Sequence, residues 1–143
     1  MVRVDIINPR NLTDQHLIAE YKEIIMLVSY VKKHPETSLD KIPEHYLLGT
    51  GHILFFKNKL LYLKKRFEKI KQEMKRRGFK AARDINVSQF SENLRKDWHA
   101  SKEDKEIIKK RLIERIKLKP GWYSYYRKKK PLKFYIDLVN NAK

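Results

Sequence analysis

At 143 residues the chain has the size of one domain, long enough to bury a core but short for two. No apolar run nears the roughly 20 residues needed to span a bilayer, and the start MVRVDIINPR lacks the apolar stretch of a signal peptide, so the sequence predicts a soluble, intracellular protein with no membrane partner. The absence of cysteine excludes disulfides, thiol nucleophiles and thiolate metal sites, and the five histidines at 16, 34, 45, 52 and 99 show no paired zinc-site spacing, so neither metal nor cofactor is expected.

The 34 Lys/Arg against 17 Asp/Glu leave a formal charge of +17, and the excess is unevenly placed. Residues 1–56 carry six basic and seven acidic residues, residues 57–83 twelve and two, and residues 102–133 thirteen and four. Two separate basic blocks point to a polyanion as partner, with nucleic acid ahead of an anionic membrane surface or an acidic protein. A solvated face accounts for one basic helix more readily than for two.

The arm VRVDII at residues 2–7 has an apolar alternation and is expected to lie extended along the rest. A first helix is predicted from Thr13 or Asp14, either a good N-cap, to Lys33, with Leu17, Tyr21, Ile24, Val28 and Val31 as its buried stripe and His34-Pro35 as its stop. Residues 34–49 carry two prolines and read as irregular. A second, long helix is predicted from Thr50 to Arg77, where Ile53, Phe56, Leu60, Leu63, Phe67, Ile70 and Met74 recur at alternating steps of three and four before Gly78. Lys57, Lys64 and Lys71 form a lysine stripe away from that seam. Residues 79–100 have no sustained period. A third helix follows Ser101 as N-cap and ends at Lys119-Pro120-Gly121, with Ile107, Ile108, Leu112, Ile113 and Ile116 turned inward. A short helix or strand near Phe134 to Val139 completes the pattern. The predicted fold is all-α, a single compact domain over residues 1–143 with three main helices, an extended N-terminal arm and an aromatic, basic C-terminal tail.

Residues 12–24, LTDQHLIAEYKEI, place Gln15, His16, Glu20 and Glu23 near the amino terminus. At 100° per residue, His16, Glu20 and Glu23 fall within about 60° of one another at the border of the apolar stripe, which makes them the edge of a cleft. Two glutamates on any helix are ordinarily surface partners of lysines. His16 suits a substrate contact and a hydrogen-bonded structural role equally, and His52, at the start of the long apolar helix, reads as a packed structural residue. Arg111 and Arg115, four apart, share one face of the third helix, as contacts to neighbouring phosphates require. Trp122, Tyr123, Tyr125 and Tyr126 follow. Aromatics beside cations can stack on a base or sugar while the cations grip the backbone, or can close the core under the N-terminal arm.

The order TDQHLIAEYKE, then LLGTGHILFFKNKLLYLKKR, then Arg77-Gly78-Phe79, then RLIER followed by KPGWYSYY, resembles the pyrimidine-dimer DNA glycosylase/AP lyase of phage endonuclease V type, over roughly residues 1–126. The resemblance implies a single all-α domain of three helices that acts as a monomer on double-stranded DNA carrying damaged pyrimidines. It implies that the α-amino group of the processed N-terminus, Val2 after loss of Met1, attacks the deoxyribose C1′ of the damaged nucleotide. The base leaves, and a Schiff base then undergoes β-elimination. The matching catalytic carboxylate is Glu23; Arg3, Gln15 and His16 match further active-site positions, and Arg111 and Arg115 match the phosphate-contacting pair. Trp122, Tyr123, Tyr125 and Tyr126 match a tail that lies near the lesion in a kinked duplex whose opposite adenine is flipped out. Lys22 stands where the family has an arginine and is carried over as a DNA contact, Met26 replaces another arginine, and Ala82 stands where a lysine is expected, with Lys80 and Arg83 beside it. Residues 127–143 extend beyond the family core and are expected to add nonspecific DNA affinity.

An α-amino group has a reference pKa of about 7.7 to 8.0 against about 10.4 for lysine, so at neutral pH it holds several hundred times the free-base fraction of a lysine. It cannot move protons on and off the sugar alone. A positioned carboxylate can, contributing roughly 10² to 10⁴-fold. The alternative class is a noncatalytic basic helical module binding DNA or RNA, and Glu23 separates the two, because a pure binding surface gains nothing from a carboxylate that repels phosphate.

Overall fold

Helix α1, Asp14–Lys33, starts where the Thr13 side chain accepts the His16 amide and stops at His34, whose own N–H closes back on Tyr30 and Val31. The structure is a computed structural model and describes residues 3–34 and 41–143. Among these residues there are five α-helices, and the only strand pairing is two isolated bridges. The predicted Val2 nucleophile and Pro35 lie outside the described residues. No helix among them is long and apolar enough to cross a membrane.

The long helix expected over Thr50 to Arg77 is divided into α2, His52–Phe56, and α3, Leu60–Arg76. The apolar spacing continues through the break, which is why the sequence does not reveal it. The cause is tertiary: Lys59 bridges Arg95 in antiparallel fashion, the Lys96 amide donates to the Asn58 carbonyl at 3.2 Å, and the Tyr62 amide donates to the Lys96 carbonyl at 3.3 Å. The 95–96 segment thereby takes over backbone groups that a continuous helix would satisfy internally. Lys59 turns back to donate to the Phe55 carbonyl at 2.7 Å, capping α2.

The lysine stripe is likewise drawn inward. Lys57 is fully buried and donates to the His34 carbonyl, Lys71 reaches Asp84 at 2.9 Å, and Lys64 reaches Glu68 at 3.1 Å and the Ile85 carbonyl at 2.8 Å. Lysine stems pack against apolar surface while the ammonium finds an oxygen. These contacts tie the irregular 79–100 segment to α3.

Helix α4, Lys102–Leu118, opens with a reciprocal capping box between Ser101 and Asp104. Its inward stripe is Ile108, Leu112 and Ile116, with Ile113 half-buried; Ile107, expected inside, is 42% exposed because the neighbouring Ile108 takes the core position. Helix α5, Leu132–Asn140, is more than an appended tail: it packs on α4 with Tyr135 and Val139 fully buried, and the Tyr135 hydroxyl donates to the Tyr123 carbonyl at 2.9 Å.

Helices α1 and α3 face each other through Leu17, Ile24 and Val31 on one side and Leu63, Phe67 and Ile70 on the other, all fully buried. Glu20 departs from the expected solvent-side lysine pairing, since it is fully buried and held by Arg66 of α3 in a forked pair of 2.7 and 2.9 Å. Arg66 also donates to the Ile7 carbonyl. The arm is more enclosed than an alternating strand along the surface: Val4, Asp5, Ile6 and Ile7 are all buried, and it turns at Ile6, whose φ of 40° is a left-handed conformation costly for a β-branched residue.

Arg66→Met leaves the Glu20 carboxylate buried without its partner and should destabilise the fold by about 3–5 kcal/mol in urea unfolding. Adding Glu20→Leu should restore most of that loss, because two apolar residues then replace two charges.

Candidate active site

Three side chains fix the start of the arm. The Arg3 backbone N–H donates to Glu23 Oε2 at 2.9 Å, the Val4 N–H donates to His52 Nε2 at 2.8 Å, and the Tyr46 hydroxyl donates to the Val4 carbonyl at 3.1 Å. A backbone amide only donates, so His52 Nε2 accepts and its proton sits on Nδ1, which donates to the Leu47 carbonyl at 2.8 Å. The expected structural role of His52 therefore has a definite content. It grips the peptide next to the one that Glu23 holds, edge-on to the Tyr46 ring.

Glu23 is half-buried on α1, and its carboxyl is raised from the ordinary value by burial, against the opposing Arg3 amide bond and Arg3 charge. A carboxyl so placed takes up and releases a proton nearer neutrality than an exposed one. The Arg3 guanidinium turns to Asp5, with Nε and Oδ1 at 2.8 Å. Burial pushes Asp5 up to about 7 against the pull of Arg3, with Glu20 adding to the rise. Asp5 and the Glu20–Arg66 pair thus form a buried charged cluster, and the Glu20 charge adds to the rise at Glu23.

His16 sits one side of the same arm. Its Nδ1 lies 3.1 Å from Thr13 Oγ1, and its ring rests on Tyr123 with centroids 4.9 Å apart. Burial lowers it to about 3, and the Arg3 and Arg115 charges push the same way, so His16 is neutral and a group of the Arg3 and Arg115 neighbourhood. Tyr123 is raised by burial while the same two arginines lower it. The structure therefore brings Arg3, His16, Tyr123 and Arg115 into one electrostatic neighbourhood, with the Arg3 amide joining it to Glu23. Arg115 is exposed, whereas Arg111 is half-buried and lies 3.7 Å from Glu114.

The remaining predicted residues divide. Gln15 exchanges two bonds with Ser124, of 2.8 and 3.1 Å, and so holds the 122–126 segment to α1. Tyr125 and Tyr126 flank the guanidinium of Arg77 at 4.6 and 4.8 Å, donating their hydroxyls to the Arg10 carbonyl and to Glu73. Arg77 is buried and pairs with Asp14 and Glu73. Asp14 also accepts the Tyr126 and Arg127 amides at 3.1 and 2.7 Å, fixing a tight turn whose two central residues, Tyr126 and Arg127, have φ of 50° and 66°. Trp122 alone of the four aromatics is open, 65% exposed, one residue from the Tyr123 ring. Lys22 and Met26 are exposed on α1 on either side of Glu23, so the two positions where the resemblance implies arginines are both solvent-facing. Ala82, Lys80 and Arg83 are exposed. Among the described residues no group of three or more His, Asp or Glu is placed to hold a metal ion.

The pattern that defines pyrimidine dimer DNA glycosylases matches residues 1–87, more than half of the 143. The chain belongs to that family. Membership supports a DNA repair glycosylase with DNA as its substrate, in a family described by its action on pyrimidine dimers. The match covers the arm, α1, α2 and α3, which carry Arg3, Gln15, His16, Lys22 and Glu23; Arg111, Arg115 and the aromatic segment lie beyond it.

Asp5, Tyr46 and the Glu20–Arg66 pair carry more of the site than their places in the sequence suggest. The available signals are a carboxylate inside the apolar run VRVDII and a glutamate three residues after Leu17 on the buried stripe.

Neutral His16 stabilises the fold above about pH 6.5, and that contribution is lost as pH falls from 6.5 towards about 3, because the unfolded chain takes up the proton first. Asp5, protonated more readily folded than unfolded, works oppositely between 3.8 and about 7. In an NMR titration the His16 ring resonances should hold their neutral positions from pH 7 down to about 4.5.

Proposed function

We propose that the protein is a bifunctional glycosylase and AP lyase acting on cyclobutane pyrimidine dimers in duplex DNA, with the α-amino group of Val2 as nucleophile and Glu23 as proton-transfer group. The observation that carries this reading is the 2.9 Å hydrogen bond from the Arg3 amide to Glu23. Adjacent residues are about 3.8 Å apart along the chain, so an amine on residue 2 starts within one residue of the carboxylate.

The chemistry balances with these two groups. The amine lone pair forms a bond to C1′ as the C1′–N bond to the pyrimidine breaks, and the base leaves with that electron pair and a proton. The nitrogen gives up a proton to Glu23, and its lone pair then expels O4′, which takes that proton, so that the C1′–O4′ bond breaks and the sugar opens to an iminium ion. Glu23 as carboxylate then removes a C2′ proton, the C3′–O bond breaks with departure of the 3′ phosphate, and water releases the sugar fragment. Arg3 with Arg115 supplies positive charge for the flanking phosphates, neutral His16 a polar contact beside the sugar, and Trp122 a free ring for stacking. Lys22, a point charge, contacts phosphate without the two-pronged geometry of an arginine.

Glu23→Gln keeps shape and removes the proton acceptor. Strand cleavage should fall by at least about 10²-fold while binding to damaged duplex persists, and cleavage near the wild-type rate would exclude Glu23 from this role. Borohydride should trap the wild-type protein covalently on dimer-containing duplex, with the crosslink mapping to the amino-terminal peptide of the Met1-processed form. A crosslink on a lysine side chain, or equal trapping of the form retaining Met1, would overturn the nucleophile.

The Arg111→Ala, Arg115→Ala double variant should weaken binding to damaged and undamaged duplex alike. The slope of log K against log salt should fall by nearly two, about 0.9 for each phosphate that the protein no longer neutralises.

A further inference from the structure

The basic block of residues 57–83 is only partly absorbed by the fold and the site. Lys57, Lys64, Arg66, Lys71 and Arg77 are each tied to internal partners. Lys65, Lys69 and Arg76 are left on the exposed side of α3, at steps of four and seven residues that put them in one row. That row lines a cleft of about 600 Å³, which Arg10 from the short turn Pro9–Asn11 and Lys105 from α4 also line. Neither Glu23 nor Arg3, His16, Arg115 or Trp122 lines it.

Two carboxylates border the cleft without cancelling its charge. Asp97 holds Lys65 at 2.6 Å, and Glu73 holds Arg76 at 2.7 Å while already neutralised by buried Arg77 at 2.8 Å. The Lys65 and Arg76 side chains nevertheless stay 57% and 58% exposed, so they are oriented and still open to a ligand. Apart from Arg66, which Glu20 already neutralises, and Lys143 at the end of the chain, five cations face two engaged carboxylates, and such an excess calls for a polyanion.

The cleft is not built for a small nucleotide. Trp98 at its edge is engaged with the core, stacked on Tyr46 and in edge contacts with Phe55, Phe56 and Tyr62, and no buried side-chain polar atom among the described residues lacks a partner. A row of cations without convergent polar groups suits a sugar-phosphate backbone read without regard to sequence. From Lys65 to Arg76 the helix advances about 16 Å at 1.5 Å per residue. Duplex DNA carries roughly ten phosphate charges over such a length, at one per 1.7 Å.

We propose that this cleft is a second DNA-binding site, taking the backbone of a duplex segment other than the one held at Glu23, so that one chain bridges two segments. It depends on the family's DNA substrate but not on the amine and Glu23 chemistry.

The test uses the full chain with short undamaged duplexes of about 12 base pairs at low salt, where phosphate contacts are strongest. Sedimentation should give two duplexes per chain at duplex excess, and donor- and acceptor-labelled duplexes should show energy transfer on adding protein. The triple variant Lys65→Glu, Lys69→Glu, Arg76→Glu should bind one duplex and lose at least about tenfold of the bridging signal, with single-turnover cleavage of a short dimer-containing duplex unchanged. The double variant Lys65→Glu, Lys69→Glu leaves the Arg76–Glu73 pair intact and should show the same direction if the triple variant unfolds. A wild-type complex limited to one duplex, bridging retained in a folded variant, or a parallel loss of cleavage would each overturn the proposal. The Glu23→Gln protein should still bridge, which separates this inference from the catalytic one.

Discussion

Arg66 connects the parts on which the site depends. From α3 it crosses to Glu20 of α1 and to the Ile7 carbonyl of the arm, so one guanidinium joins both central helices and the segment between them. Five fixed donors on a planar group allow this, where a lysine could offer only a point charge. Replacing a buried pair with apolar residues is often neutral, so its value lies less in net stability than in geometry. An arm held only by apolar packing could slide. One held at Ile7 by Arg66, at Val4 by His52 and Tyr46, and at Arg3 by Glu23 keeps its amino end in register with a carboxylate.

The charges of this very basic chain follow two regimes. Arg66 and Arg77 are desolvated and matched by Glu20, Asp14 and Glu73, and they act as scaffold. Lys65, Lys69, Arg76 and Arg115 remain in solvent and act as surface potential. Net charge alone does not separate the regimes, because a desolvated cation must be neutralised locally while an exposed one need not be. The aromatic segment divides the same way. Tyr125 and Tyr126 sheathe Arg77, and Trp122 stays open.

The second half of the chain completes what the first half carries. Ser124 is bonded to Gln15 and Asp14, and Tyr123 packs on His16, so residues 123–127 close one end of α1. Helix α5 backs this segment through the Tyr135 hydroxyl bond to the Tyr123 carbonyl. The tail that the sequence offered as a DNA-binding extension is thereby part of the core, although its lysines remain largely at the surface.

The amino-acid sequence by itself determined the helical class, the limits of α1 and α4, the irregular segments between, and the family, because caps, heptad-like spacing and local motifs act over a few residues. It placed Glu23 beside the start of the chain only through resemblance; the distance from the Arg3 amide is a tertiary fact. The break between α2 and α3, the burial of Lys57 and Glu20, and the sorting of the four clustered aromatics were decided by partners 23 to 115 residues away in sequence. Periodicity records which face of a helix is apolar. It does not record which polar group will find a buried counter-charge, since that depends on elements meeting in space whose separation along the chain leaves no local trace.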